Sequence, residues 1–187
     1  MSKIEISPRV SPYPMQVVIV GAIVDDQPNF MTVAWMNRLN GNPPIWGLAI
    51  GKKAYTLKGI KINRTFSINI PSIDLVTKTD YVGIVSGREI DKSKLFEVFY
   101  GKLESAPMIQ ECPLCVECRV FNIIELPKTD LVLGEITAAY TEEKFMSDGK
   151  LDPKKINPFM LTQPDNHYWE LGEVVADAFT IGKTFRE

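Results

Sequence analysis

Residues 29–56, NFMTVAWMNRLNGNPPIWGLAIGKKAYT, decide how the rest of the chain is read. The stretch FMTVAWM is apolar, NGNPP is built of turn formers, and IWGLAI is apolar again. Asn, Gly and Pro each favour a reversal for a different backbone reason. The pattern therefore predicts strands over 30–38 and 45–50 joined as a hairpin. The second strand runs straight into GKKAYT, a cationic, hydroxyl-bearing loop. A core has a use for the strands and none for the loop.

Between Gly51 and Arg64 the basic residues are Lys52, Lys53, Lys58, Lys61 and Arg64, with no acid among them, in a chain of net charge −2. The spacing of Leu57, Ile60 and Ile62 predicts a short helix opening near Thr56. The Thr56 hydroxyl and the first free backbone N–H groups would then point the same way. Such a terminus with lysines beside it suits a phosphate. An N-cap followed by a basic face, with Lys58 and Lys61 in water, accounts for the same residues. Upstream, strand alternation sets Met31, Val33 and Trp35 on one face and Thr32, Ala34 and Met36 on the other. Small or hydroxylic residues at 32 and 34 would admit a flat ring, and Phe30, Met31, Trp35 and Trp46 would wall it. A flat apolar slot with a phosphate end suits a mononucleotide; plain core packing is the competing explanation.

Outward from this hairpin, strands are expected over 15–24, 66–72, 114–126 and 131–141, with a last one in the segment NHYWELGEVVADAFTIGK. FSINIPS alternates apolar and polar residues and reads as half-buried. Residues 73–100 read as loop and helix. Many strands with few short helices indicate a closed or nearly closed β-barrel, and 187 residues suit one domain spanning 1–187. The small net charge gives no general attraction to nucleic acid or anionic membranes. The apolar run Met15–Val24 is too short for a bilayer span of roughly 20 residues. MSKIEISPRV lacks the apolar core of a signal peptide, so a cytoplasmic location is expected.

Cys112, Cys115 and Cys118 form C-P-L-C-V-E-C. Iron–sulfur runs begin this way, but the chain has no fourth cysteine. On a strand, Cys112 and Cys118 would face one side and Cys115 the other. Buried free thiols are the expectation, and no metal site is assigned. No Gly-rich dinucleotide fingerprint is present.

Taken in order, N-x-x-T-x-A-W, N-P-P, G-K-K-A-Y-T, F-S-I-N-I-P, S-G-R-E-I-D-K, C-P-L-C-V-E-C-R-V, L-G-E-I and H-Y-W-E-L-G-E-V resemble the flavin reductase-like domain family, and within it the flavoredoxins. The resemblance implies a mainly β, Greek-key, FMN-binding split β-barrel with a few short helices. It also implies a homodimer with flavin near the subunit interface, reduced by a nicotinamide or a redox protein. Carried over, Met31, Thr32, Val33, Ala34 and Trp35 would line the ring and ribityl chain. Trp35, Lys53 and Thr56, with Tyr55 alongside, would address the phosphate. Ser86, Gly87 and Lys92 match a second loop near the flavin, and His167 could touch flavin or nicotinamide.

Overall fold

The computed structural model describes residues 2–11 and 14–185. In chain order the elements are β1 (Met15–Gln16), β2 (Val18–Val24), β3 (Gln27–Val33), β4 (Met36–Asn40), β5 (Ile45–Gly51), α1 (Tyr55–Asn63) and β6 (Thr65–Ile70). Then come α2 (Val76–Ile84), β7 (Val98–Phe99), β8 (Met108–Ile109), β9 (Leu114–Glu125) and β10 (Thr129–Thr141). The chain finishes with β11 (Met146–Ser147), β12 (Lys150–Leu151), α3 (Pro153–Ile156), β13 (Phe159–Thr162) and β14 (His167–Glu170).

The main sheet is antiparallel in the order β3-β2-β6-β9-β10-β5-β4. Its two edges, β3 and β4, are successive parts of one stretch of chain, with only Ala34 and Trp35 between them. The sheet therefore curls until its first and last strands meet end to end, an open barrel split at that junction. The Ala49 N–H donates to the Trp35 carbonyl at 2.9 Å and holds the crossing. The strand expected over 30–38 is thus two strands, because the chain changes edges at residues 34–35. The expected 15–24 strand is also divided: β1 pairs with β13 in a small side sheet, and β2 pairs with β3 and β6.

Two cores lie on opposite sides of the sheet, which is why VIVGAIV is buried on both faces. Val18, Val20, Phe66, Ile68 and Val116 fill the barrel, which Leu57 and Ile60 of α1 close. Ile19, Phe30, Val82, Phe96 and Met108 pack outside it, under α2 and the 92–112 segment. The half-buried reading of 66–72 is corrected here: Ser67 and Asn69 are buried too. Ser67 Oγ donates to the Pro107 carbonyl. Asn69 Nδ2 donates to the Ile19 carbonyl and its Oδ1 accepts from the Ile109 N–H, both at 3.0 Å. Alternation alone cannot separate a strand facing water from one covered by a polar-lined second layer, because buried polar groups are acceptable once hydrogen-bonded.

All three cysteines are buried and free. Cys115 and Cys118 face opposite cores, as strand alternation requires, but Cys112 joins Cys115 rather than Cys118. It precedes β9 in a turn closed by its N–H to the Ile109 carbonyl, at 3.1 Å, so strand alternation does not reach it.

Candidate functional site

The helix α1 opens differently from the expectation. Ala54 stands at the N-cap, with no capping side chain and no acid in the first turn. Thr56 lies inside the helix, buried, and its Oγ1 accepts from Asn29 Nδ2 at 2.7 Å. A hydroxyl that accepts one bond keeps its proton for another acceptor. Uncapped first-turn N–H groups and the positive end of the helix dipole therefore share this corner with a free hydroxyl donor.

A 320 Å³ cavity sits at that corner, walled by Asn29 and Met31 of β3, the 53–56 turn, the end of α2 and the 85–88 loop. Its described lining carries Lys53, Arg88 and Lys92 and no carboxylate. Ser86 shapes the loop: its carbonyl accepts from the Glu89 and Ile90 N–H groups at 3.1 Å, and its hydroxyl accepts from Arg88 N–H at 3.2 Å. Gly87 is required by close packing, since a Cβ there would lie 2.0 Å from Asn29 Oδ1 and 2.8 Å from Tyr55 Cδ1. Arg88 lies over the Tyr55 ring at 4.9 Å and donates to the Lys53 carbonyl at 3.2 Å. Acids gather beyond that pair, where Asp25, Glu89 and Asp91 line a neighbouring 290 Å³ hollow. Tyr55 OH and Lys58 both bond Asp25, at 2.8 Å to Oδ2, and hold its carboxyl below the usual range, Lys58 first.

Lys92 is the least ordinary group here. Its side chain is buried, and Nζ donates to the carbonyls of Phe30 at 2.9 Å and Val82 at 2.7 Å. The first carbonyl belongs to edge strand β3 and the second to the last turn of α2, so Lys92 pins helix to sheet. Burial lowers its pKa to about 8. No carboxylate within salt-bridge distance balances it among the described residues. A buried cation without a counter-charge is costly and favours an anion beside it.

The residues singled out from the sequence divide as follows. Met31, Lys53, Tyr55, Thr56, Ser86, Gly87 and Lys92 meet around the cation-lined cavity. Ala34 and Trp35 instead line a separate apolar hollow of 660 Å³. Trp35 does not join Lys53 and Thr56 in one lining, because the crossing from β3 to β4 carries it round to the other edge. Thr32 Oγ1 donates to the Thr79 carbonyl of α2, and Val33 is core. His167 is exposed on β14, 3.2 Å from Asp165, and lines neither cavity. Sequence reasoning passed over Asn29 and Arg88. Asn29 was legible as an isolated amide in an apolar strand, a group that needs a partner when buried. Arg88 was visible only as the residue after Gly87.

Lys58 and Lys61 are not solvated spectators. Lys58 pairs with Asp25, and Lys61 Nζ lies 2.6 Å from Asp130, whose side chain is wholly buried. Lys52 approaches the same carboxylate at 3.6 Å. Lys61 is the main cause of a pKa held below the usual carboxylate range. Three lysines of the basic run are thus committed to carboxylates, while Lys53 has no ion-pair partner among the described residues.

A split barrel with a cationic cavity between its edge strand and a helix N-terminus defines a flavin-reductase-type domain. The chain belongs to the flavin reductase like domain family, which it matches over residues 10–154. It is similar to the crystal structure of flavoredoxin from Methanosarcina acetivorans, at 48% identity, 98% of both chains and a TM-score of 0.96. The flavoredoxin of Desulfovibrio vulgaris (Miyazaki F) follows at 31% identity, 97% of this chain, 100% of that one and a TM-score of 0.89. An uncharacterised protein of Aeropyrum pernix is 30% identical over 136 residues, 71% of this chain and 52% of its own, so the chain spans about half that relative's length. Another from Archaeoglobus fulgidus is 32% identical over 142 residues, 75% of this chain and 79% of that protein. Among the described residues no helix is long and apolar enough to cross a membrane, and no cluster of three metal-ligating side chains occurs.

Proposed function

We propose that the chain is an FMN-binding redox protein of the flavoredoxin kind, which keeps its flavin and carries electrons as a whole. The observation that carries this reading is the acid-free cavity at the uncapped end of α1, where Lys53, Arg88, buried Lys92 and the Thr56 hydroxyl converge. Lys53, Arg88 and the α1 N–H groups would hold the phosphate, Thr56 would donate its remaining proton, and Met31 would face the ring. Bound there, FMN supplies reversible one- and two-electron transfer, the electrons coming from a reduced nicotinamide or a redox protein. The chain's own residues bind and orient the group, which is why no acid–base dyad is needed. Several charged and hydroxyl contacts at one phosphate favour retention over release. The likeness to two flavoredoxins supports the same reading, and a homodimer with flavin near the interface belongs to it.

The test is an absorbance spectrum before and after desalting, with identification of the released cofactor. A yellow protein that stays yellow and yields FMN supports the proposal. A colourless protein that reduces added flavin with NAD(P)H would make it a flavin reductase releasing its product. A colourless protein inert toward flavin would leave a barrel that takes some other phosphate.

A further inference from the structure

Every described residue from Trp169 to Phe185 is exposed, a run that leaves the body after β14. Beyond Glu173, which pairs with Lys154 at 2.7 Å, its backbone bonds are confined to the turns at 177–185. Yet the arm is apolar: Val175 is 98% exposed, Phe179 96%, Phe185 79% and Val174 76%. Segments that stay unfolded in water are poor in such side chains, and a contiguous exposed apolar surface marks an interaction site. The likeness to the Methanosarcina flavoredoxin covers 98% of both chains at a TM-score of 0.96, too completely to leave this arm out. An arm that touches almost nothing of its own body follows one course in two chains only 48% identical. A partner common to both must hold it, and a second copy of the same chain is the partner each always has.

The body offers a matching recess. The 660 Å³ hollow is lined by Met15, Trp35, Leu39, Trp46 and Leu131, with Arg38 at its edge. Trp35 and Leu39 are uncovered, at 55% and 52% exposure. Arg38 makes no ion pair among the described residues; its Nε donates only to the Asn40 carbonyl at 3.5 Å. The arm carries a carboxylate that is likewise unpaired among the described residues, Asp177. From Glu170 to Phe185 an extended chain spans about 50 Å at roughly 3.3 Å per residue, enough to cross to a neighbour. We propose that residues 174–185 of each copy lie in the Trp35–Leu39 hollow of the other, a reciprocal exchange about a two-fold axis.

This inference shares with the proposed function the expectation of a dimer and does not depend on flavin. Sedimentation equilibrium on the protein as purified, with its colour recorded, tests it, comparing the full chain, a chain ending at Glu173, and Leu39→Asp with its arm intact. The described residues among those removed make no hydrogen bond or ion pair to the body, so near-UV circular dichroism and melting should match the parent. The full chain should be a dimer at micromolar concentration, and each variant should raise its dissociation constant roughly a hundred-fold, as loss of a central apolar anchor does. A truncated chain as dimeric as the parent, an unaffected Leu39→Asp dimer, or a monomeric full chain overturns the exchange. A colourless dimer that truncation dissolves supports the exchange while refuting the proposed function. A flavin-loaded dimer indifferent to truncation does the reverse.

Discussion

Lys53 and Lys61 stand in one basic run, and the fold gives them opposite roles. Lys53 lines the cavity without an ion-pair partner among the described residues, so it is the lysine available to a phosphate. Lys53→Ala should weaken FMN by roughly ten- to a hundred-fold, the equivalent of one charged hydrogen bond of about 1.5–3 kcal/mol. Riboflavin, which lacks the phosphate, should bind as before, and salt should narrow the difference. Equal loss for both ligands in a fluorescence titration would mean that Lys53 supports the fold instead. Lys61 serves the buried Asp130 carboxylate. Lys61→Ala should therefore lower the melting temperature clearly, whereas Lys58→Ala, which breaks an exposed pair with Asp25, should barely move it. Asp130 titrates below its ordinary range in the fold. Its contribution is present above the unfolded carboxylate pKa and is lost as pH falls through the lower folded value, so the gap between the two proteins should close in acid.

At the scale of elements, two buried charges tie segments together. Lys92 joins the end of α2 to the edge of β3 through two carbonyls. Its folded pKa of about 8 lies below its ordinary 10.5, so the unfolded chain holds the proton more tightly. That part of the stability is present above the unfolded value and is lost as pH falls through about 8. A bound phosphate favours the ammonium form, so FMN affinity should decline as pH rises past about 8. In Lys92→Met, titration calorimetry should find that decline missing. Glu117 works the other way round. Its wholly buried carboxylate accepts from the Lys102 and Leu103 N–H groups and the Tyr140 hydroxyl, all at 2.8 Å. Glu117→Ala strands those donors, and urea unfolding should show a loss of at least about 3 kcal/mol, given roughly 1–3 kcal/mol for each buried group left unsatisfied. A loss below 1 kcal/mol would mean that water replaces the carboxylate.

For the whole molecule, burial of every cysteine between two cores has a direct chemical consequence. Burial pushes Cys115 up to about 12 and raises Cys112 and Cys118 as well. Against an ordinary value near 9 the reactive thiolate is scarcer by roughly a thousand-fold for Cys115, at tenfold per pKa unit. Native protein should resist iodoacetamide near neutral pH and react fully once denatured; one thiol alkylated quickly in the native state would contradict the packing. The strands, the Asn/Gly/Pro turns, the short helix and the cationic loop after β5 were legible in the sequence, because alternation, turn chemistry and local charge act over a few residues. The motifs around Met31, Lys53, Thr56 and Ser86 likewise carried the family. The break at Ala34–Trp35 was not legible, since nothing local shows that a strand leaves one sheet edge for the other. Nor were the burial of Ser67 and Asn69, the partners of Lys58 and Lys61, or the Asn29–Thr56 bond. Each joins segments far apart in sequence, so the partners are chosen by which strands the barrel brings side by side. Local pattern determined which segments become strands and where cationic chemistry lies; only the curled sheet decided which charges are spent on structure and which remain for a ligand.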